Sequence, residues 1–160
     1  MRTASDPPGR GVWFGVDVGS VRVGVARSDP REVLAVPVAT LRRDARAHTD
    51  LAQLATLIGE YDTVGVVVGL PRTLAGHDGP AVVAAREYGS AIAERIAPIP
   101  VEYADERMTT VVAQRNLTSS GVRGSAKRAR IDQAAAVEIL QSFLDRRRER
   151  VADAEGLQHD

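Results

Sequence analysis

Asp17 is the single carboxylate in the valine-rich stretch GVDVGSVRVGVAR. An ionised side chain inside an apolar strand is energetically costly unless it has a partner. Strand alternation puts Asp17 on the same face as Gly15 and Gly19, which leaves open space above the carboxylate for a metal ion or a backbone. The stretch is equally consistent with a turn aspartate that accepts hydrogen bonds from the amides of Gly19 and Ser20.

Asp132 stands at the head of an apolar stripe on a long helix that we predict from about Arg128 to Arg148. Apolar side chains follow it at helical spacing, at Ala135, Ala136, Ile139, Leu140 and Phe143. The helix dipole favours an acid in the first turn of a helix. It does not explain why the acid is aligned with the face that must pack on a sheet, so we expect Asp132 to be functional.

Two more acids, Asp105 and Glu106, directly follow a predicted strand. They could instead belong to the start of a helix with Thr109 or Thr110 as its N-cap. Ligands gather at the carboxyl ends of parallel strands, where Asp17 also lies. Carboxylates that converge there without histidine or cysteine suit Mg²⁺ or Mn²⁺, and two such ions would assist phosphodiester cleavage.

A basic segment follows these acids. No acidic residue occurs from 107 through 131, and the segment contains Arg107, Arg115, Arg123, Lys127, Arg128 and Arg130. Beside an acidic cluster, such a segment could hold a phosphate backbone while the metal ions act on it. The alternative is a solvated, arginine-rich loop.

The loop GLPRTLAGHDG, from Gly69 to Gly79, is not a Walker loop because no GK[ST] follows its glycines. Its amides and the helix that starts at Pro80 could bind one phosphate, but a plain connection is at least as good an interpretation.

The order of predicted elements indicates an α/β fold with a mixed sheet, because three strands precede an alternation of helices and strands. A tight turn at Gly19-Ser20 predicts a hairpin, and Pro37 predicts an edge strand. The predicted strands are 12–18, 21–27, 33–41, 63–68 and 100–104; the predicted helices are 51–58, 80–96, 109–117 and 128–148.

Composition limits the class of protein. Hydrophobic residues make up 44% and charged residues 26% of 160 residues, which is typical of one globular domain. The formal net charge is 0 and cysteine is absent, so any attraction to nucleic acid must be local and thiolate metal sites are excluded. With no signal peptide or apolar run, we expect a soluble, cytoplasmic protein with one domain at 11–150 and disordered tails at 1–10 and 151–160.

Four segments of the sequence together resemble the YqgF (RuvX) family of RNase H-like nucleases. They are GVDVGSVRVGVARSD, VVVGLPRTLAG, ADERMTT and IDQAAAVEILQSFL, and the resemblance covers roughly residues 12–148. Members of this family are described as candidate Holliday-junction resolvases and as candidate nucleases that mature the 5′ end of pre-16S rRNA. The resemblance implies an RNase H-like fold, here a mixed five-stranded sheet flanked by helices, and a catalytic, metal-binding site of Asp17, Glu106 and Asp132.

Residues around these acids also match the family motifs or belong to the basic segment. The predicted substrate-binding residues are Arg22, Gly69, Pro71, Arg107, Arg123, Lys127 and Arg128.

The expected function is that of an endonuclease dependent on Mg²⁺ or Mn²⁺, acting on structured RNA such as pre-16S rRNA, with the ribosome as a further expected partner. Branched DNA is the alternative substrate, and a nucleic-acid-binding module without catalysis is the alternative class. An actin-like or sugar-kinase-like ATPase would need two such domains around its cleft, which 160 residues do not supply. We expect a monomer or a homodimer with no membrane partner.

Overall fold

The computed structural model describes residues 10–71, 79–105 and 125–158. Five strands form one sheet in the order β3-β2-β1-β4-β5. The strands are β1 Val12–Val18, β2 Arg22–Ser28, β3 Ala35–Arg42, β4 Thr63–Leu70 and β5 Val101–Asp105, and the helices are α1 Thr49–Gly59, α2 Pro80–Ile96 and α3 Ser125–Gln158.

The strand pairing confirms the predicted mixed sheet. β1 is antiparallel to β2 and parallel to β4, while β2 is antiparallel to β3 and β4 is parallel to β5. The hairpin between β1 and β2 closes with a hydrogen bond of 2.9 Å from the Gly19 amide to the Arg22 carbonyl. Pro37 lies in edge strand β3, as predicted, because proline cannot donate to a second neighbouring strand.

The two faces of the sheet are covered by different helices. Phe14 and Val16 pack in a core with α1 and α2, whereas Trp13 packs in a second core with α3. β4 divides in the same way, with Val66 on the first face and Val67 on the second. Alternating side chains of one strand therefore serve two helical layers, and the sheet is buried on both sides.

Glycines allow α3 to lie directly on the sheet. A Cβ at Gly15 would approach the Cβ of Leu140 to 2.7 Å, and a Cβ at Gly24 would approach the carbonyl oxygen of Asp132 to 2.1 Å. Real side chains do not tolerate such distances, so both positions require glycine for this packing. The glycine in β2 thereby places Asp132 directly over the strand that pairs with Asp17.

The end of α3 differs from the prediction. The helix continues to Gln158, past the predicted end at Arg148, so residues 151–158 of the tail predicted at 151–160 are helical. Residues 149–156 are exposed, and five of these eight are alanine, glutamate or arginine, which favour helix without needing a core. The predicted helix at 109–117 lies outside the described residues, and no helix in the described ranges is long and apolar enough to span a membrane.

Candidate functional site

Asp17 lies near the carboxyl end of β1, on the face of the sheet that packs against α3. It is 1% exposed. Its partner in β2 is Gly24, whose own partner in β3 is Thr40. Directly opposed residues of an antiparallel pair share a face, so the missing side chain of Gly24 lets the backbone of α3 approach the sheet beside Asp17.

Asp132 lies in α3 directly above Gly24. Its backbone lies over Gly24, and its side chain, 14% exposed, is turned toward β2. The Arg22 Nε donates a hydrogen bond of 3.1 Å to the Asp132 Oδ2. Asp17 and Asp132 are therefore neighbours on one face of the sheet, with the glycine of β2 between their backbones.

Two hydrogen bonds fix the rotation of α3 at this point. The Thr40 hydroxyl donates to the Ala129 carbonyl at 2.9 Å, and the Gln133 side-chain amide donates to the Thr40 hydroxyl oxygen at 3.0 Å. These residues lie on either side of Asp132 in the helix. Because both contacts go to the same β3 residue, the helix cannot turn Asp132 away from the sheet without losing them.

Glu106, Arg107 and Arg123 lie outside the described residues, and for Lys127 and Arg128 only the helical backbone is described. β5 ends at Asp105, and it runs parallel to β4, which runs parallel to β1. The chain thus leaves β5 at the sheet edge that holds Asp17.

Asp105 itself belongs to the other face of the sheet. Ala104 packs against the α3 core, and successive strand residues point to opposite faces. The residue that shares a face with Asp17 at the end of β5 is therefore Ala104.

The other predicted binding residues are placed as follows. Gly69 is buried within β4, and Pro71 directly follows that strand and is half-buried. Arg22, predicted to bind substrate, contacts the carboxylate of Asp132. This contact indicates that Arg22 orients an acid of the site.

The donor set of the described site consists of carboxylate oxygens. Within the described ranges, no group of three or more His, Cys, Asp or Glu residues could hold a metal ion. The pair formed by Asp17 and Asp132 offers hard oxygen ligands without nitrogen or sulfur, and this chemistry fits Mg²⁺ or Mn²⁺.

Asp50 is a buried acid that the sequence analysis did not single out. It is 3% exposed and accepts hydrogen bonds from the Tyr88 hydroxyl at 3.0 Å and the Asp44 amide at 3.3 Å. Burial, followed by the negative charge of Asp50, raises the pKa of Tyr88. The sequence pattern that could have found Asp50 is its helical spacing with Leu54 and Ile58, which places it on the buried face of α1. The same kind of spacing identified Asp132.

The sheet and its covering helices define an RNase H-like fold. A solved structure of T. thermophilus RuvC in complex with a Holliday junction substrate matches with a TM-score of 0.53 at 12% identity, covering 84% of this chain and 94% of that chain. A second Thermus thermophilus RuvC structure matches with a TM-score of 0.51 at 13% identity, covering 84% of this chain and 95% of that chain. At this identity the similarity shows the fold, which confirms the predicted class.

Sequence comparison defines the family more narrowly. The profile described as "RuvX: Holliday junction resolvase" matches residues 11–146. The chain therefore belongs to the RuvX family.

Relatives that bear the name "Putative pre-16S rRNA nuclease" are similar over most of the chain. One from Mycobacterium sp. (strain KMS) is 56% identical over 151 residues, which are 94% of this chain and 89% of the relative. One from Frankia casuarinae is 57% identical over 137 residues, 86% of this chain and 68% of the relative. One from Mycobacterium tuberculosis (strain ATCC 25177 / H37Ra) is 56% identical over 140 residues, which are 88% of this chain and 82% of the relative.

Proposed function

We propose that this protein is a metal-dependent endonuclease that processes the 5′ end of pre-16S rRNA in the cytoplasm. The observation that carries the proposal is the placement of two carboxylates, Asp17 and Asp132, side by side across Gly24 at the carboxyl end of β1. The name shared by the relatives supports RNA as the substrate. The ribosomal precursor is the proposed partner.

Asp17 and Asp132 would hold Mg²⁺ or Mn²⁺, with Glu106 as a further ligand by resemblance to the family. When bound, the metal supplies an activated water and neutralises the charge that develops on the phosphate.

The chain contributes rigidity to this chemistry. Asp17 pairs with Gly24 of β2, and its neighbour Val16 pairs with Val68 of β4, so the backbone of Asp17 has little freedom. Arg22 fixes the Asp132 carboxylate through Oδ2, and Thr40 fixes the helix that carries it. A site held by strands and a packed helix keeps its geometry without the cost of ordering a loop.

Arg123, Lys127 and Arg128 are proposed to bind phosphates of the substrate. Neutralising all three should weaken binding of every nucleic-acid sequence and flatten its salt dependence. Salt dependence equal to that of the wild type would assign these residues to a solvated segment.

The RNA proposal is tested in cells. A strain without the protein should accumulate 16S rRNA with an unprocessed 5′ end, and the wild-type gene should restore maturation whereas Asp132→Asn should not. The purified protein should also cut an RNA that carries the 16S 5′ flank when Mg²⁺ is added. Normal 5′ ends in the deletion strain would overturn the assignment of substrate.

A DNA four-way junction is the second candidate substrate, favoured by the description of the family. Symmetric cuts in a junction call for a two-fold symmetric dimer, whereas a single cut in an RNA does not. Junction cleavage by a dimer, with no cut in the RNA under the same conditions, would favour resolution. Binding of both nucleic acids by a wild-type protein that cuts neither would favour a non-catalytic binding module.

A further inference from the structure

A basic surface lies at the end of β3, outside the segment that the sequence analysis considered. It consists of Arg42, Arg43 and Arg46, and we call it the β3 basic rim. Arg42 ends β3 and pairs with Arg22, the first residue of β2. Since β2 begins where β1 ends, the rim lies at the same sheet edge as Asp17.

The position of the rim relative to the acids follows from strand register. Asp17, Gly24 and Thr40 form one row across β1, β2 and β3. Arg42 follows Thr40 by two residues, so its side chain leaves β3 on the same face, toward the edge. Two strand spacings separate β1 from β3, which is about 10 Å.

The loop that carries the rest of the rim is held in shape by Asp44. The Asp44 Oδ1 accepts hydrogen bonds of 3.1 Å from the amides of Arg46 and Ala47, and its Oδ2 accepts one of 2.8 Å from the Thr49 hydroxyl. The negative charge of Asp44 is thus directed into its own loop. Arg46 is therefore presented on an ordered backbone.

Arg43 ties the rim to the hairpin that follows Asp17. Its amide donates to the Val21 carbonyl at 2.8 Å, and its guanidinium donates to the Gly19 carbonyl at 3.3 Å. The same guanidinium lies 5.4 Å from the centre of the Tyr88 ring. These contacts join the rim to the strand end that carries the site.

Arg42 and Arg46 have free charges. Both are exposed, and neither forms an ion pair with any residue that the structure describes. The nearest acid on α1, Asp50, is buried against Tyr88. Two cationic side chains on a fixed support therefore face solvent beside the acids of the site.

We infer that the β3 basic rim binds the phosphate backbone of the nucleic-acid substrate, a few nucleotides from the bond that is cut. The inference rests on the proposed nuclease function. Two strand spacings and the two-residue step from Thr40 to Arg42 place the rim within reach of phosphates a few nucleotides from the acids. The rim thus holds a flank of the substrate on the β3 side of the acids.

The test compares two charge-matched variants of the full chain. Arg42→Gln/Arg46→Gln removes the exposed charges of the rim, and Arg31→Gln/Arg146→Gln removes two exposed charges elsewhere, on the β2–β3 loop and on α3. Binding to a labelled RNA carrying the 16S 5′ flank is measured in EDTA over a range of salt concentrations. Equal thermal midpoints would show that both variants are folded.

The rim variant should lower the slope of log affinity against log salt by about 2, whereas the control should keep the wild-type slope. The loss of affinity between about 50 and about 200 mM salt should then be about tenfold smaller than in the wild type. Equal slopes for the two variants, whether both fall or neither does, would overturn the inference.

A second measurement locates the contact. Single phosphates near the mapped cut are replaced by neutral methylphosphonates, and wild-type affinity should fall for replacements a few nucleotides to one side of the cut. In the rim variant those replacements should have no further effect; an unchanged effect would contradict the inference. A wild-type protein that binds RNA but does not cut it would refute the nuclease proposal, while the salt slopes would still report on the rim.

Discussion

The two ends of β1 each have a buried carboxylate nearby, and the groups that face these carboxylates differ. Beside the amino end, Glu32 is 7% exposed and accepts hydrogen bonds from the Trp13 indole at 3.0 Å and the Arg147 Nε at 3.1 Å. At the carboxyl end, Asp17 lies beside a second acid, Asp132.

This difference distinguishes a buried acid with a structural role from the pair of acids that we propose to hold a metal ion. Glu32 joins the β2–β3 loop to α3 through an arginine that also lies 5.1 Å from the centre of the Trp13 ring, so its charge stabilises the fold. Two neighbouring carboxylates repel each other, and the repulsion is relieved by a cation. Neutralising the acid should therefore lower stability at the amino end and lower activity at the carboxyl end.

Asp17→Asn should have the largest effect. The amide has nearly the shape of the acid but no charge, so cleavage should fall by about 10⁴-fold, as for loss of a catalytic group. Because repulsion with Asp132 is removed, the thermal midpoint in EDTA should stay the same or rise. Cleavage assays with Mg²⁺ and melting curves in EDTA measure both. A variant that cuts normally and is less stable by about 1 kcal/mol would make Asp17 a turn residue instead.

Gly24→Ala should impair both activity and stability. Its Cβ would lie 2.1 Å from the Asp132 carbonyl oxygen, so α3 must move away from β2. Overpacking of this kind costs about 1–3 kcal/mol, and the movement separates the two acids. Chemical denaturation and cleavage assays measure the effects. Gly59→Ala is the matched control, since nothing lies within 4 Å of its Cβ; equal behaviour of the two variants would contradict close packing at Gly24.

Glu32→Gln should affect stability alone. The neutral amide weakens the charge-assisted bond from Arg147, which should lower the free energy of unfolding by about 1–2 kcal/mol. The rate of cleavage should stay within about twofold of the wild type, because the substitution is far from the carboxyl end of β1 that carries Asp17. Urea denaturation and the cleavage assay measure this, with exposed Glu60→Gln as the control. A large loss of activity without a loss of stability would erase the contrast between the two ends.

Asp44→Asn should have the smallest effect, confined to acid pH. Hydrogen bonds from the Ala47 amide and the Thr49 hydroxyl lower the pKa of Asp44 from 3.8 to about 2. The stabilising contribution of a lowered pKa is present above the unfolded value and is lost as the pH falls toward the folded value. The variant should therefore show a shallower loss of stability between about pH 4 and about pH 2 than the wild type. Identical acid melting curves would remove Asp44 as the residue that orders the loop.

Much of the fold could be predicted from local pattern. Pro37 marked the edge strand, and the alternation in β1 marked the two faces that α1, α2 and α3 cover. The end of α3 could not be predicted in this way, because the exposed residues there show no apolar periodicity.

The candidate site was less predictable. Asp50 and Asp132 both head an apolar helical stripe, but only the register of strands and helices shows that Asp50 contacts Tyr88 while Asp132 lies over Gly24. The ion pair of Arg22 with Asp132 joins residues distant in sequence, so no local spacing could have shown it.

The central claim is that Asp17 and Asp132 bind the same divalent ion. Anomalous diffraction from crystals of the full chain soaked in Mn²⁺ tests it most directly, at a concentration that supports cleavage. The expected result is a manganese peak in contact with both carboxylates that disappears in Asp17→Asn crystals. A fully active wild type whose crystals show no manganese at this edge, or manganese that does not contact Asp17, would contradict the claim.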